Sequence, residues 1–411
     1  MEKWIKSIKG TIPHTNKTVD IKLDGKNLIV TGANGSGKTS FVRTAHRILS
    51  LLIEGKMIAY FPPSNQQIKD WKNLFDKNKI YFPKGSYSNG FSDAYDTINS
   101  LERKIKEIEN GIKLEINETE ILDSILKLEN KQSIIRFFEE KRLSEIKQPK
   151  IGQEIEEGIK LGNYLEQYLV NRRFRLSYAK ADEKDKKLVD DIENWFTGFE
   201  NKLKFLFEDD NLEFKFDPDG LRYSIIQEDK PPFSFQTLSA GYRAIFDIYA
   251  DLLMHTEYFK IMPNELTGVV LIDEIDSHLH VSLQRLILPF FTQSFPKIQF
   301  IVTTHSPFVL MSTPDTVVFD LAKNEAITED LSYYTYSAIM EGLWNVKPIS
   351  IHLENSIKEI SKIVNSEYKD YKRLKELVEA TRPYEGALDS ESKVFLLLGM
   401  ETLLEEGGEN V

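Results

Sequence analysis

The sequence predicts an α/β fold built around one phosphate-binding loop, with a helical insertion in the middle of the chain and a helical C-terminal region. Residues 31–40 read TGANGSGKTS, which contains the pattern Gly-x-x-x-x-Gly-Lys-Thr. An apolar run over 27–30 precedes this loop, and apolar residues at helical spacing follow it over 40–53. Two further apolar runs, 268–272 and 298–303, are typical of buried parallel strands, and polar residues follow each of them.

The order of strand, loop and helix is the one that phosphate binding requires. Glycines allow successive backbone N–H groups to converge on phosphate oxygens, and the N-terminus of the following helix adds its positive end. Lys38 would then reach the β and γ phosphates of a nucleotide, and the Thr39 hydroxyl would bind Mg²⁺. A chance match is the alternative, and the flanking strand and helix argue against it. The predicted nucleotide-binding residues are Gly32, Ala33, Asn34, Gly35, Ser36, Gly37, Lys38, Thr39 and Ser40.

Composition narrows the classes of function. Of 411 residues, 41% are hydrophobic and 28% charged, which is ordinary for a soluble protein. The formal net charge of −11 argues against extensive binding along nucleic acid, but it does not exclude a local basic groove. The chain has no cysteine, so disulfides, cysteine zinc sites and thiol nucleophiles are excluded. With no signal-like start and no run near 18 apolar residues, we expect a cytoplasmic protein without a membrane span.

Between the loop and the second group of motifs, the pattern becomes mainly helical. Residues 1–30 alternate as in a hairpin that feeds the strand before the loop, and 57–61 is a candidate core strand. A heptad seam over 98–112 predicts a short coiled coil, interrupted near Gly111 and resumed more weakly over 121–146. Apolar residues of the seam are Ile98, Leu101, Ile105, Ile108 and Ile112.

Later segments alternate between helices and one hairpin. Apolar spacing predicts helices over 155–176 and 188–206. Two short strands within 212–226 are joined by Asp-Pro-Asp-Gly, a turn sequence in which proline presets φ and glycine accepts positive φ. Toward the C-terminus, helical spacing recurs over 351–378 and 390–404.

A second group of chemical motifs begins at Leu238-Ser239-Ala240-Gly241, at the head of an apolar helix that runs to about residue 255. A Ser-x-Gly turn entering a helix offers a hydroxyl and backbone N–H groups to an anion. A plain helix cap is an equally common reading of this turn when it is taken alone.

Two acids and a histidine follow the later apolar strands. Asp273 could bind Mg²⁺, and Glu274 could polarise a water for attack on a γ phosphate. An acidic turn after a strand is the ordinary alternative. His305, after the strand over 298–303, could donate a hydrogen bond to the γ phosphate, whereas a lone histidine is more often structural. Three of the seven histidines nevertheless follow these two strand ends, namely His278, His280 and His305.

Four segments of the chain resemble, in the same order, the motifs of ABC-type ATPases. They are GANGSGKT, LSAGYR, VVLIDEIDSHLH and FIVTTHSP. They are most similar to the RecF/SMC/OLD-like branch, whose heads carry a helical insertion. The resemblance implies an ABC-type P-loop ATPase head. Its N-terminal lobe would occupy 1–60, the insertion 61–187, the C-terminal lobe 188–325 and a helical region 326–411.

The resemblance also implies roles for individual residues. Lys38, Glu274 and His305 would be catalytic, with ATP and Mg²⁺ as cofactors and Thr39 and Asp273 as the metal-binding residues. A head-to-tail dimer would cap each ATP with the signature motif of the other subunit. That signature motif is Leu238, Ser239, Ala240 and Gly241, and the D-loop is Ser277, His278, Leu279 and His280.

The chain departs from the family at three points. His280 stands where transporter ATPases usually have aspartate. Gln66 and Gln67 are weak candidates for the Q-loop glutamine because prolines precede them. No aromatic residue matches the one that stacks on adenine in transporters.

The small helical tail resembles that of the stand-alone ATPases of bacterial anti-phage systems, such as those of Septu and PARIS. This resemblance implies a slow ATPase that acts as a sensor and scaffold, assembles as a dimer or larger ring, and controls a separate nuclease or toxin. One alternative is a RecF/SMC-type DNA-repair ATPase, so nucleic acid stays open as a partner. Another is a transporter ATPase, although 201 residues separate Lys38 from Ser239, leaving room for an insertion that transporter heads lack.

Overall fold

A computed structural model of the chain describes ten stretches of residues. They are 4–15, 17–53, 112–116, 133–140, 146–150, 161–181, 186–314, 316–327, 329–347 and 349–408. The chain divides into two compact units, Met1–Tyr333 and Tyr334–Val411.

Eleven strands lie in the described stretches, all of them in the first unit. They are β1 (Ile5–Thr11), β2 (Thr18–Lys22), β3 (Asn27–Thr31), β4 (Ile112–Ile116), β5 (Ser133–Phe138), β6 (Glu213–Asp217), β7 (Arg222–Ile226), β8 (Thr267–Ile272), β9 (Ile298–Thr303), β10 (Thr316–Asp320) and β11 (Glu325–Ile327).

Eleven α-helices are described in the same stretches. They are α1 (Lys38–Ile53), α2 (Leu165–Ala181), α3 (Lys186–Phe207), α4 (Ala240–Phe259), α5 (Val281–Gln284), α6 (Ile287–Ser294), α7 (Pro307–Leu310), α8 (Tyr336–Trp344), α9 (Ile351–Val364), α10 (Tyr371–Thr381) and α11 (Ser390–Gly408).

The centre of the first unit is a six-stranded sheet in the order β11-β10-β3-β9-β8-β5. All neighbours are parallel except β10 and β11. Every residue of β3, β8 and β9 is buried, as expected for parallel strands covered on both faces. Because parallel strands end at the same edge, Thr31, Ile272 and Thr303 bring three loops together there. The predicted α/β head is confirmed.

The predicted N-terminal hairpin is confirmed as the antiparallel pair β1 and β2. It forms a second sheet in the order β2-β1-β4, and the hairpin β6–β7 forms a third. This last hairpin confirms the strands predicted within 212–226.

Within the predicted insertion, two segments that were expected to be helical are strands. Ile112, placed at the end of the heptad seam, is instead buried in β4, which pairs with β1. β5 lies within the range predicted as weakly helical, yet it is the edge strand of the central sheet. Both segments are five or six residues long, too short for periodicity to separate strand from helix. Three other predicted features lie outside the described residues. They are the strand over 57–61, the candidate Q-loop residues Gln66 and Gln67, and the rest of the heptad seam.

The second unit is helical, as predicted. Its core is formed by α9, α10 and α11, which contribute the buried side chains of Ile360, Leu374 and Leu396. The helical pattern predicted over 351–378 is interrupted after Val364, and Asp370 caps α10 by accepting a hydrogen bond from the Arg373 N–H at 3.0 Å. In the described stretches, no helix combines the length and apolar character needed to cross a bilayer.

The close approach of β5 to β8 depends on Gly268. This residue has φ +135°, and a Cβ there would lie 1.9 Å from the Ile134 carbonyl oxygen. We expect Gly268→Ala to lower the free energy of unfolding by about 2–4 kcal/mol, because it adds backbone strain to a steric clash. Chemical denaturation measures the change.

Gly198→Ala in α3 is the matched control, since no atom lies within 4 Å of a Cβ built there. That variant should be about 0.5–1 kcal/mol more stable than wild type. Equal effects of the two substitutions would contradict the close approach at Gly268.

Candidate functional site

The phosphate-binding loop lies between the end of β3 at Thr31 and the start of α1 at Lys38. Gly32 has φ +135°, and a Cβ there would lie 2.9 Å from the backbone nitrogen of Ala322. A larger residue would therefore disturb both the turn and its packing. Ala33, Asn34 and Gly35 are exposed, so the middle of the loop faces solvent beside the N-terminus of α1.

Lys38 is buried at the head of α1, with 6% of the residue exposed. Its Nζ donates hydrogen bonds to the carbonyl oxygens of Gly32 at 2.9 Å and Ala33 at 3.2 Å. Burial lowers the pKa of Lys38, while nearby carboxylates act in the opposite direction. Those carboxylates are Glu274, Asp273, Asp276 and Asp320. The loop therefore positions an ammonium group next to an excess of acidic side chains.

Thr303, the last residue of β9, orients the two acids that follow β8. Its hydroxyl donates a hydrogen bond to Oδ1 of Asp273 at 2.7 Å and accepts one from the backbone N–H of Glu274 at 2.7 Å. Asp273 is 3% exposed, and Glu274 has a left-handed φ of +45°. The backbone therefore turns sharply between the carboxylates, which gives their side chains different directions.

Burial and the acidic neighbours of Glu274 both favour its protonated form. Burial raises the pKa of Glu274, and the charges of Glu140, Asp273 and Asp276 raise it further, while Lys38 opposes the shift. A carboxylate with a raised pKa binds a proton more strongly, which is a useful property of a general base.

His305 follows β9 by two residues and is partly exposed. Burial and the positive charge of Lys38 lower the pKa of His305, and Asp276 opposes this effect. The imidazole is therefore neutral at neutral pH and carries one N–H donor. The backbone around it is held by hydrogen bonds from Thr304 N–H to the Val30 carbonyl at 3.1 Å and from the Ser306 hydroxyl to Gln284 Oε1 at 2.6 Å.

The predicted signature and D-loop lie against each other within one chain. Gly241 is buried, and a Cβ there would lie 3.2 Å from the His278 carbonyl oxygen and 3.7 Å from Leu279 Cδ2. Ser239 is the N-cap residue of α4, but its side chain makes no capping hydrogen bond. Ser239 and Ala240 are exposed and Leu238 is buried, so the outer part of the motif is available to another molecule.

His280 makes a structural contact at the start of α5. It is exposed and caps α5, where its Nδ1 accepts a hydrogen bond from the Ser282 N–H at 3.3 Å. His278 is also exposed and has φ +65°. Ser277 completes this turn with a backbone hydrogen bond to the Glu274 carbonyl at 2.9 Å.

The structure thus brings Lys38, Asp273, Glu274 and His305 to one sheet edge and adds residues that sequence reasoning missed. Thr303 and Asp320 are polar residues at strand ends, the same signal that identified Asp273, and Asp276 lies in the turn four residues after β8. For the residues that the structure describes, no group of three or more His, Asp or Glu side chains forms a ready metal site.

The residues present fit a nucleotide polyphosphate with its magnesium. Mg²⁺ usually takes only one or two protein ligands, with phosphates and waters completing its shell, and the pair Thr39 and Asp273 meets that requirement. Ser36 supports the fit, since its hydroxyl is buried and finds no hydrogen-bond partner in the described part of the chain.

The family comparison agrees with this geometry. Residues 28–312 match the protein family described as "AAA domain, putative AbiEii toxin, Type IV TA system". The chain belongs to this family. The match spans the phosphate-binding loop, the signature region, Asp273 and Glu274, and His305.

Individual relatives match shorter parts of the chain. "Retron Ec83 probable ATPase" of Escherichia coli is 34% identical over 156 residues, covering 33% of this chain and 28% of the relative. "Septu protein PtuA" of Bacillus mycoides is 40% identical over 95 residues, covering 22% of this chain and 13% of the relative. The chain thus spans less than a third of each of these relatives. The predicted resemblance to anti-phage ATPases is confirmed.

Solved structures of SMC heads are also similar to the chain. A head bound to the C-terminal winged-helix domain of ScpA has 17% identity and a TM-score of 0.36, covering 79% of this chain and 96% of that one. The SMC head from Thermotoga maritima has 13% identity and a TM-score of 0.34, covering 79% and 97%. Because both scores are below 0.5, the assignment of the fold rests on the sheet order and the family match.

One ion pair links the edge of the sheet to the signature helix. Arg136 on β5 donates two hydrogen bonds to Asp251 on α4, at 2.7 and 2.8 Å, and the Asp251 side chain is only 6% exposed. His255 lies one turn later, with Nδ1 3.6 Å from Asp251 Oδ2. The pair joins the strand beside β8 to the helix that begins at Ser239.

We expect Arg136→Met to lower the free energy of unfolding by about 1–3 kcal/mol, because it leaves a buried carboxylate without its main partner. The double variant Arg136→Met/Asp251→Leu should recover part of this loss, since it removes the buried charge as well. Arg43→Met is the matched control, because its ion pair with Glu139 is exposed and should change stability by less than about 0.5 kcal/mol. A double variant less stable than Arg136→Met would contradict this account.

Proposed function

We propose that the chain binds ATP with Mg²⁺ and hydrolyses it slowly, as the ATPase and sensor subunit of a cytoplasmic anti-phage defence complex that controls a separate nuclease or toxin. The observation that carries the ATPase part is the meeting of buried Lys38 with Asp273 and Glu274 at the carboxyl edge of three parallel strands. Membership of an AAA-domain family supports it.

Each residue of the site has a distinct role in this proposal. Lys38 binds the β and γ phosphates, and Thr39 and Asp273 hold Mg²⁺, which neutralises phosphate charge when bound. Glu274 accepts a proton from the attacking water, and Thr303 fixes its backbone for that task. Neutral His305 donates a hydrogen bond to the γ phosphate.

A second copy completes the site in this proposal. Ser239 is exposed and free of a capping bond, so its hydroxyl and the N-terminus of α4 can face the ATP of a partner subunit. Gly241 packs on the D-loop, which begins three residues after Glu274. Closure of a head-to-tail dimer would therefore change the surroundings of the Asp273 and Glu274 carboxylates. A larger ring built from such dimers is compatible with the same contacts.

The defence role is supported by the names of the relatives, which are a retron ATPase and a Septu protein. Those alignments cover only parts of each protein. The effector and the trigger are therefore part of this proposal and are not taken from the relatives. Binding of nucleic acid stays open, because the acidic total charge does not exclude a local basic groove.

Glu274→Gln should retain ATP binding but reduce turnover by about 10²–10⁴-fold, because an amide cannot accept the proton of water. An ATP-dependent dimer should accumulate as a result. Phosphate release and sedimentation velocity measure the two effects. Glu325→Gln, an exposed change on β11, is the matched control. Full turnover in Glu274→Gln would remove the role assigned to this carboxylate.

The same variant tests the defence role. Tagged Glu274→Gln protein, purified from its native host with ATP, should carry a nuclease or toxin-like subunit that is identifiable by mass spectrometry. Recovery of DNA with repair proteins would instead support a RecF/SMC-type role, and recovery of membrane permeases would support a transporter role.

Ser239→Arg should leave ATP binding to the monomer unchanged and prevent the ATP-dependent dimer, because a long cationic side chain would occupy the capping position. Fluorescent-nucleotide binding and sizing separate the two effects. Ser239→Ala is the conservative control and should weaken dimerisation by about tenfold or less, the equivalent of one hydrogen bond. An ATP-dependent dimer of Ser239→Arg with wild-type affinity would rule out capping in trans.

A further inference from the structure

Helix α11 of the second unit has apolar side chains on two sides. One side, which includes the fully buried Leu396, packs on α9 and α10 in the core of this unit. The other side is exposed in the structure. Its large apolar residues are Val394 at 53%, Leu397 at 53%, Leu398 at 38% and Leu404 at 77% relative exposure. Single exposed leucines are ordinary on protein surfaces, whereas four such residues on one helix mark an interaction site.

These residues form one continuous stripe. Residues three and four apart on a helix are neighbours, and positions 394, 397, 398, 401, 404 and 405 follow that spacing. Glu401 and Glu405 are exposed and lie between and beside the apolar residues. We call Val394, Leu397, Leu398, Glu401, Leu404 and Glu405 the outer stripe.

The outer stripe is acidic as well as apolar. Helix α11 contains four glutamates and one lysine, Lys393, which gives it a net charge of −3. Glu391, at its start, already pairs with Lys347 at 2.8 Å. The charges that remain for a ligand on the stripe are therefore Glu401 and Glu405.

This charge pattern disfavours two occupants. A pair of α11 helices that met through their outer stripes would bring two copies of Glu401 and Glu405 into one interface, and the stripe has no lysine or arginine to pair with them. Like charges at such positions destabilise a helix pair. An anionic membrane surface would repel the same carboxylates, because surface-binding helices carry lysine and arginine.

We propose that the outer stripe binds a basic amphipathic helix of a partner protein. Leu397, Leu398 and Leu404 would contact apolar residues of that helix, and Glu401 and Glu405 would pair with lysines or arginines at its margins. This surface lies within the second unit and uses no residue of the phosphate-binding loop. The inference therefore goes beyond the ATPase proposal and does not depend on it.

Two synthetic peptides test the proposal on the full chain. Each is an 18-residue alanine-based helix with leucine at positions i, i+3, i+4 and i+7; four positions that flank the leucines are lysine in the first peptide and glutamate in the second. Fluorescence anisotropy should show binding of the lysine peptide, and the glutamate peptide should bind at least about tenfold more weakly. Leu397→Gln should weaken binding of the lysine peptide by about tenfold, the loss expected for one buried leucine.

Two further variants keep the test decisive. The exposed change Glu401→Lys/Glu405→Lys should reverse the preference between the peptides without disturbing the core. Tyr368→Ser, at a residue 92% exposed outside the stripe, is the matched control and should bind as wild type does. Equal binding of both peptides, or binding unaffected by Leu397→Gln, would overturn the proposal.

The remaining outcomes assign the stripe to another occupant. Self-association of wild type that Leu397→Gln abolishes would assign it to a second copy, and stripe-dependent binding to anionic vesicles would assign it to a membrane. Lys38→Ala should bind the lysine peptide as wild type does. Failure of the ATPase proposal is therefore distinguishable from failure of this one.

Discussion

The parallel pairing of β9 with both β3 and β8 is the constraint on which the candidate site depends. Because these three strands are buried and run in the same direction, Thr31, Thr303 and Ile272 end at one edge. The phosphate-binding loop, His305 and the two acids come from segments up to about 270 residues apart in sequence, and the strand pairing brings all of them to that edge. Thr303 adds the fine positioning, since one hydroxyl binds both Asp273 and the backbone of Glu274.

Electrostatics then gives the edge its chemical character. Lys38 is buried beside four carboxylates, so its positive charge is opposed by a larger negative charge. An excess of oxygen ligands favours a hard divalent cation, and an ammonium next to glycine N–H groups favours phosphate. The two preferences coincide in a magnesium–nucleotide complex. In the proposed head-to-tail dimer, Ser239 at its exposed helix start would complete the site of the other subunit.

Much of this could be predicted from the sequence because the strong signals are local. The loop pattern, the apolar strands before Asp273 and His305, and the turn within 212–226 each depend on a few adjacent residues. β4 and β5 were missed because they are short and lie among charged, helix-like segments, and only pairing with β1 and β8 makes them strands. The Arg136–Asp251 pair joins residues 115 positions apart, a contact that periodicity cannot detect. For α11 the sequence predicted a helix. Because its apolar residues lie on every side of that helix, the sequence could not show which side would be exposed.

The most direct test of the account is a mixing experiment with Lys38→Ala and Ser239→Arg proteins. In a head-to-tail dimer, one of the two composite sites of a mixed pair would combine an intact loop with an intact signature. Two inactive variants mixed in equal amounts should therefore recover up to about half of wild-type ATP turnover, since only mixed pairs close around ATP and each has one of two sites restored. Turnover of the mixture no higher than the average of the separate variants would contradict a site shared between two subunits.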